Sequence, residues 1–366
     1  MNILILGNGF DLAHGLKTKY SDFLNYCAQK LYYPLSYTSS DPYKTNLWIR
    51  HFLRTDNFKG SNWIDLETEI YSVIKYINGL FSLSGQNCRK IFTLNYRDDF
   101  FTFYHFEEYI NEIIVPINAG EKEYYRNNEH NQIEYSVSFS SKKGIINYLY
   151  DQLRDFTKLF EEYLKKEVLT PMKKQSEYLL SLGSIGVKKD DKDLYVLNFN
   201  YTDTCKRLYN SKFNTYCSLN IQPIYVHGNI SDDENCNFVF GTQTFELNPS
   251  KLPMPSYFNL FQKHYQRHKY NTVEPYQELV RKIKKSSTTA NFHIVGHSLE
   301  HSDHKILKHI LLANDESVIN IYFHDEQTQK RLMDNINSII GEEEVMAKVR
   351  FIHQHDDERS ILKYKK

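Results

Sequence analysis

Short runs rich in β-branched and aromatic residues recur through the second half of the chain, and what lies between them decides the fold. They are LYVLNF (194–199), IYVHG (224–228), FVFGT (238–242), FHIVG (292–296), VINIYF (318–323) and KVRFI (348–352). Each is bounded by turn residues and apolar at nearly every position, the pattern of a strand covered on both faces. KILKHILLA and QTQKRLMDNINSII, which fall between such runs, carry apolar residues at helical spacing. Strands alternating with helices build a mostly parallel sheet between two helical layers. The opening run, residues 2–6, has the same character and is assigned to the same sheet, so the expected class is α/β with three layers.

Residues 20–190 follow another pattern. WIDLETEIYSVIKYI, FTFYHFEEYINEIIV and INYLYDQLRDFTKLFEEYLKKEVL show helical spacing, and IFTL (91–94) is one of few strand candidates. This predicts a core of residues 1–15 and 190–366 interrupted by a largely helical insertion, 16–189. GEKEYYRNNEHNQIEYS reads as an exposed loop within it, and KKDDKD marks the return to the sheet.

Composition narrows the partners. Among 366 residues, 45 Lys and Arg balance 45 Asp and Glu, so no overall field draws the molecule to nucleic acid. Five cysteines, with no C-x-x-C pair, argue against a zinc ribbon and a disulfide scaffold and fit a reducing cytosol. No stretch approaches the ~20 apolar residues of a membrane span. A first strand starting at residue 2 leaves no room for a cleavable signal, which points to the cytoplasm.

Ligands of open α/β sheets sit beyond the carboxyl ends of the strands. The first run ends in Gly7, Asn8, Gly9, Phe10 and Asp11 and passes into a helical pattern, the order in which phosphate loops are built. The dinucleotide fingerprint would need a third glycine where Leu12 stands, and KYSDFLNYCAQKLYY after Gly15 reads as helix instead of a second strand. An ordinary dehydrogenase is therefore disfavoured, while a phosphate-holding turn and a turn that binds nothing both stay open. The other runs end in Asn200 and Thr202, in His227 and Gly228, in Gly241 and Thr242, and in Gly296, His297 and Ser298. Small, polar and imidazole groups at consecutive strand ends predict a single site.

GNGFDLAHGL, KYSDFL, NWIDLE, LNFNYTDT, VHGN, FGT and GHSLEHSD, in that order, resemble the AbiH family of bacterial abortive-infection proteins. That family's core is in turn similar to the sirtuin-like, Rossmann-related NAD-binding fold. The resemblance implies a role in phage defence, with NAD or a related nucleotide as ligand or substrate, a phage-derived trigger and no metal. Asn200 and His227 would be catalytic. Gly7 to Asp11, Thr202, Gly228, Gly241, Thr242, Gly296, His297, Ser298 and Asp303 would bind the nucleotide. Thr202 stands where the sirtuin-like motif has Asp, and the four-cysteine zinc module of the deacetylases is absent. Hydrolysis of the nicotinamide–ribose bond is therefore the implied activity, ahead of deacetylation. A nucleotide sensor without turnover and a protein acting on nucleic acid are the alternatives.

On this reading the N–H groups of residues 7–10 hold the pyrophosphate, the Asn200 amide orients ribose or water, and His227 serves as base or ribose partner. Each role has a plainer rival. Asn200, His227, Thr242 and Ser298 could cap turns, Asp11 could favour a helix first turn, and His14 could simply pack. Asp303 reads first as a helix cap. His297, His301, His304 and His309 carry zinc-like spacing without the H-E-x-x-H pattern. Trp63, Asp65 and Glu67 are either a helix start or carboxylates reaching over the pocket. RKIKKSS (281–287) reads as a solvated helix end. The insertion is the candidate lid, homo-oligomer contact or sensor.

Overall fold

In the computed structural model, residues 1–32, 46–54, 66–82, 89–97, 110–115, 125–127, 134–139, 142–171, 178–180, 194–209, 222–230, 236–242, 256–354 and 362–364 are described. The chain divides into two compact units. The first comprises Met1–Thr18, Tyr163–Val239 and Arg267–Lys366, and the second Lys19–Glu162 and Phe240–Gln266.

The first unit is built on a six-stranded sheet. Its elements are β1 (Asn2–Leu6), α1 (Asn8–Ala13), β2 (Leu194–Asn198), α2 (Thr204–Tyr209), β3 (Ile224–Tyr225), α3 (Val273–Lys285), β4 (Asn291–Val295), α4 (His304–Leu311), β5 (Val318–Phe323), α5 (Glu326–Ile340) and β6 (Val349–His353). Every pairing in this sheet is parallel. Numbered along the chain the strands lie in the order 3-2-1-4-5-6, the order of doubly wound sheets that bind dinucleotides. β1 is central, with Leu4 aligned to Val196 of β2 on one side and to His293 of β4 on the other.

Side chains alternate across this sheet as period-two geometry requires. Ile3 and Ile5 face one layer with Leu279 and Ile283 of α3, Leu307 and Ile310 of α4 and Ile336 and Ile339 of α5. Leu4 and Leu6 face the other with Phe10 of α1 and Cys205, Leu208 and Tyr209 of α2. Each fully buried Leu or Ile contributes roughly 1.5–3 kcal/mol, so the all-apolar opening strand is stable only with both layers present. α5 begins where the Asp325 carboxylate accepts from the Thr328 N–H at 2.7 Å and ends at Gly341. Arg281, Lys282, Lys284 and Lys285 are exposed at the end of α3, as the solvated-end reading expects.

The second unit holds helices Tyr20–Tyr32, Leu47–Arg54 and Leu66–Ser82 and nearly all of Lys142–Tyr163. Asn46 caps the second of these, its side-chain oxygen accepting from the N–H groups of Trp48 and Ile49 at 3.0 and 3.1 Å. Rings of Phe23, Phe52, Phe156 and Phe160 pack together at 5.0–5.4 Å.

Three expectations need correction. The insertion is not largely helical throughout, because Arg89–Arg97, Ile110–Val115, Tyr125–Asn127 and Glu134–Phe139 form a four-stranded antiparallel sheet. The β-branched end of FTFYHFEEYINEIIV favours a strand although its spacing also suits a helix. Part of the presumed loop is the strand Tyr125–Asn127 and the start of the next. FVFGT forms no strand; its one ladder contact is an isolated bridge from Thr242 to Gln262. KKDDKD, Trp63 and Asp65 lie outside the described residues.

Candidate functional site

The order of strands puts the switch point of the sheet between β1 and β4, where loops leave toward opposite faces. Gly7 and Gly9 follow one strand and Gly296 and His297 the other. These two loops are in direct backbone contact. Gly7 N–H donates to the Val295 carbonyl at 3.1 Å, Gly9 N–H to the Gly296 carbonyl at 2.7 Å and Phe10 N–H to the Gly7 carbonyl at 2.9 Å. Gly296 has φ 65°, and a Cβ there would stand 2.1 Å from the Phe10 nitrogen. The glycines therefore serve close loop packing. In this conformation the N–H groups of Gly7, Gly9 and Phe10 are engaged within the protein and are not offered to a pyrophosphate. Phe10 is a core side chain, and Asn8 accepts from the Thr18 hydroxyl at 2.5 Å.

Around this seam lie two groups of buried polar side chains. The first surrounds Asp11. Its carboxylate is fully buried, accepts from the Thr202 hydroxyl at 2.5 Å, and the Thr204 hydroxyl donates in turn to Thr202 at 3.1 Å. Burial pushes the Asp11 carboxyl up to about 7, against hydrogen bonds from Thr202, Thr204 and Asn200 that lower it. Asp11 Oδ1 has no hydrogen-bond partner among the described residues. The Asn200 amide donates to the Gly7 carbonyl at 3.0 Å, which ties β2 to the first turn. Asn198, a residue sequence reasoning passed over, shapes this turn by accepting from the Asn200 N–H and donating to the Thr202 carbonyl, both at 3.0 Å.

The second group centres on Asp303. His227 Nε2 lies 3.1 Å from Asp303 Oδ1, Arg267 Nη2 3.2 Å from the same oxygen, and His297 Nε2 3.8 Å from Oδ2. Arg267 Nη2 is also 3.5 Å from His227 Nδ1. The Leu299 N–H donates to His297 Nδ1 at 2.9 Å, so a neutral His297 carries its proton on Nε2. The Phe199 ring stands edge-on to both imidazoles, 5.5 Å from His227 and 4.4 Å from His297. All four polar residues are under a tenth exposed.

Asp303 does start α4, but its side chain makes no capping bond and turns to the histidines. The helix-cap reading is thereby corrected. Arg267 was not anticipated at all; it sits in YQRHKY, where nothing in the sequence separates a buried guanidinium from a solvated one. Gly228, at φ 81°, lets the chain pass Asn237. Ser298 is held through its carbonyl by Asn335 at 2.9 Å. Gly241 and Thr242 belong to the second unit, where the Thr242 N–H donates to the Phe261 carbonyl at 2.7 Å. Glu67 pairs there with Lys263.

The remaining histidines go to separate duties. His14 bonds the Phe10 carbonyl and the Tyr209 hydroxyl, each at 2.7 Å, and burial lowers its pKa to about 4, the packing role expected of it. His304 bonds the Leu299 carbonyl at 3.1 Å and its ring lies tilted against that of His301, while His309 stands edge-on to Tyr276.

The sequence that carries these strand ends also carries a family assignment. The model of the family described as bacteriophage abortive infection AbiH matches residues 3–325. The chain belongs to the AbiH family. AbiH membership makes it a protein of abortive infection, the bacterial defence against phage, and spans β1 through β5. No curated protein and no solved structure matches the chain. Among the described residues, no helix is long and apolar enough to cross a membrane.

Proposed function

We propose that this AbiH protein is a cytoplasmic defence effector that takes NAD at the carboxyl edge of its parallel sheet and hydrolyses the nicotinamide–ribose bond. The observation that carries the reading is the meeting of His227, Arg267, His297 and Asp303, from separate segments of the chain, beside the switch point of a 3-2-1-4-5-6 sheet whose first turn is bonded by Asn200. In the reaction the C–N bond to nicotinamide breaks through an oxocarbenium-like state, water adds to the ribose carbon, and nicotinamide, ADP-ribose and one proton result. Asn200 would orient the ribose or the water, and His227 would receive the proton. The N–H groups of Gly7, Gly9 and Phe10, engaged within the protein, leave the pyrophosphate to other groups.

Burial of these side chains fits an enzyme held silent before infection, since free turnover would deplete its own cell. Ser298 and Gly228 remain candidates for nucleotide contact. The test is release of nicotinamide from NAD by purified protein, with and without lysate of infected cells. Asn200→Ala and His227→Ala should each abolish release while circular dichroism stays that of the parent. Parental rates in both variants would refute the assignment. Protection against heat by NAD without any nicotinamide would make the protein a sensor, and salt-dependent binding of DNA or RNA would favour action on nucleic acid.

A further inference from the structure

We propose that Asp303 is the positioning residue of this site, a carboxylate that sets the tautomer and orientation of His227 while also lying within ion-pair reach of His297. In its catalytic consequence the inference rests on the NAD-hydrolysis reading; in its structural content it does not. Asp303 offers its two oxygens to different imidazoles, Oδ1 to His227 Nε2 at 3.1 Å and Oδ2 toward His297 Nε2 at 3.8 Å. An ionised carboxylate only accepts, so the nitrogen facing it must carry a proton. For His297 the assignment comes from the Leu299 N–H, which occupies Nδ1 and leaves the proton on Nε2. For His227 the proton on Nε2 leaves Nδ1 as the lone-pair nitrogen. Arg267 Nη2 lies 3.5 Å from that atom, at the outer limit of a hydrogen bond, while holding Asp303 Oδ1 at 3.2 Å.

The Asp303–Arg267 pair is neutral as a unit. With Nε2 facing the carboxylate, the basic nitrogen of His227 is Nδ1, which faces the Arg267 guanidinium. Phe199 packs edge-on against both rings. A histidine whose second nitrogen is held by a carboxylate is the usual way a fold fixes one tautomer, and loss of such a partner where the imidazole is the base costs as much as ~10⁴-fold in rate.

Long-range proton–nitrogen NMR of the full-length protein with labelled histidine reads both tautomers directly. The expected result is protonated Nε2 at His227 and at His297. In Asp303→Asn, whose amide can donate as well as accept, His227 should lose its fixed Nε2–H signature. His297 should keep its own through Leu299. Nicotinamide release by Asp303→Asn should fall ~10²-fold or more with little change in KM, and Asp303→Glu should recover part of it. A parent protein with His227 protonated on Nδ1 overturns the proposal without any variant. So does an Asp303→Asn protein that keeps both tautomers and the parental rate. If the tautomers behave as expected but the parent releases no nicotinamide, the positioning role stands and the hydrolase reading falls.

Discussion

Asp11→Asn tests whether the carboxyl beneath the first turn is carried as an acid. Burial lifts it from 3.8 to about 7, roughly 3 units, and each unit is worth about 1.4 kcal/mol. Between those values the folded protein holds the proton and the unfolded chain releases it. Fewer protons are then bound on unfolding, so stability falls as pH rises through the window and levels off above about 7. The total is ~4 kcal/mol lost by the parent and not by the variant, because an amide does not ionise. His14 and His293, both lowered to about 4 by burial, act with the opposite sign, adding stability as pH rises toward 6.5. They are common to both proteins and cancel in the difference. Native-state hydrogen exchange at the β1 and β4 amides reports opening of the first unit by itself. The opening free energy of the variant minus that of the parent should grow by ~4 kcal/mol from about pH 4 to about pH 8. An infrared band of protonated carboxyl at neutral pH should be lost in the variant. A pH-independent difference would show that Asp11 is ionised in the fold and that burial does not dominate its environment.

Gly296→Ala should cost about 3 kcal/mol or more, since its Cβ would meet the Phe10 nitrogen at 2.1 Å and φ 65° is unfavourable for alanine. Thermal melting checks this, and a parental melting temperature would mean the two loops can part freely. Tyr209→Phe removes the hydroxyl bonded to His14 Nε2 at 2.7 Å and should destabilise by roughly 1–3 kcal/mol, because a buried acceptor is left without its donor. Unchanged denaturant resistance would place His14 Nε2 in contact with solvent.

The sheet was legible because its strands are buried on both faces. Nothing but continuous apolar sequence survives there, and β1, β2, β4, β5 and β6 lie within a residue or two of the runs that announced them. The strand ends were legible for a related reason: Asn200, His227 and His297 are polar residues where the period would otherwise supply another Val or Phe. Asp303 was found by motif and misread by local rule, since a carboxylate before a helix caps it more often than it holds a histidine across the sheet edge. Arg267 left no trace, because a guanidinium is buried by partners from distant segments. The first-turn glycines show the sharpest limit. A loop that must admit an anion and a loop that must admit another loop ask for the same absence of Cβ, and only the position of Gly296 separates them. The strands between residues 89 and 139 were obscured by Ile, Phe and Tyr spaced to suit either structure.

β1 is the second element of nothing local: its neighbours on either side are residues 194–198 and 291–295. A chain emerging from the ribosome must therefore keep its most apolar opening segment waiting until nearly three hundred further residues have been made. Interrupted synthesis yields a product whose central strand lacks β4, and with it the loop that carries His297 and Asp303. The corner that joins His227, His297 and Asp303 can therefore form only after β4 and the loop behind it have been made.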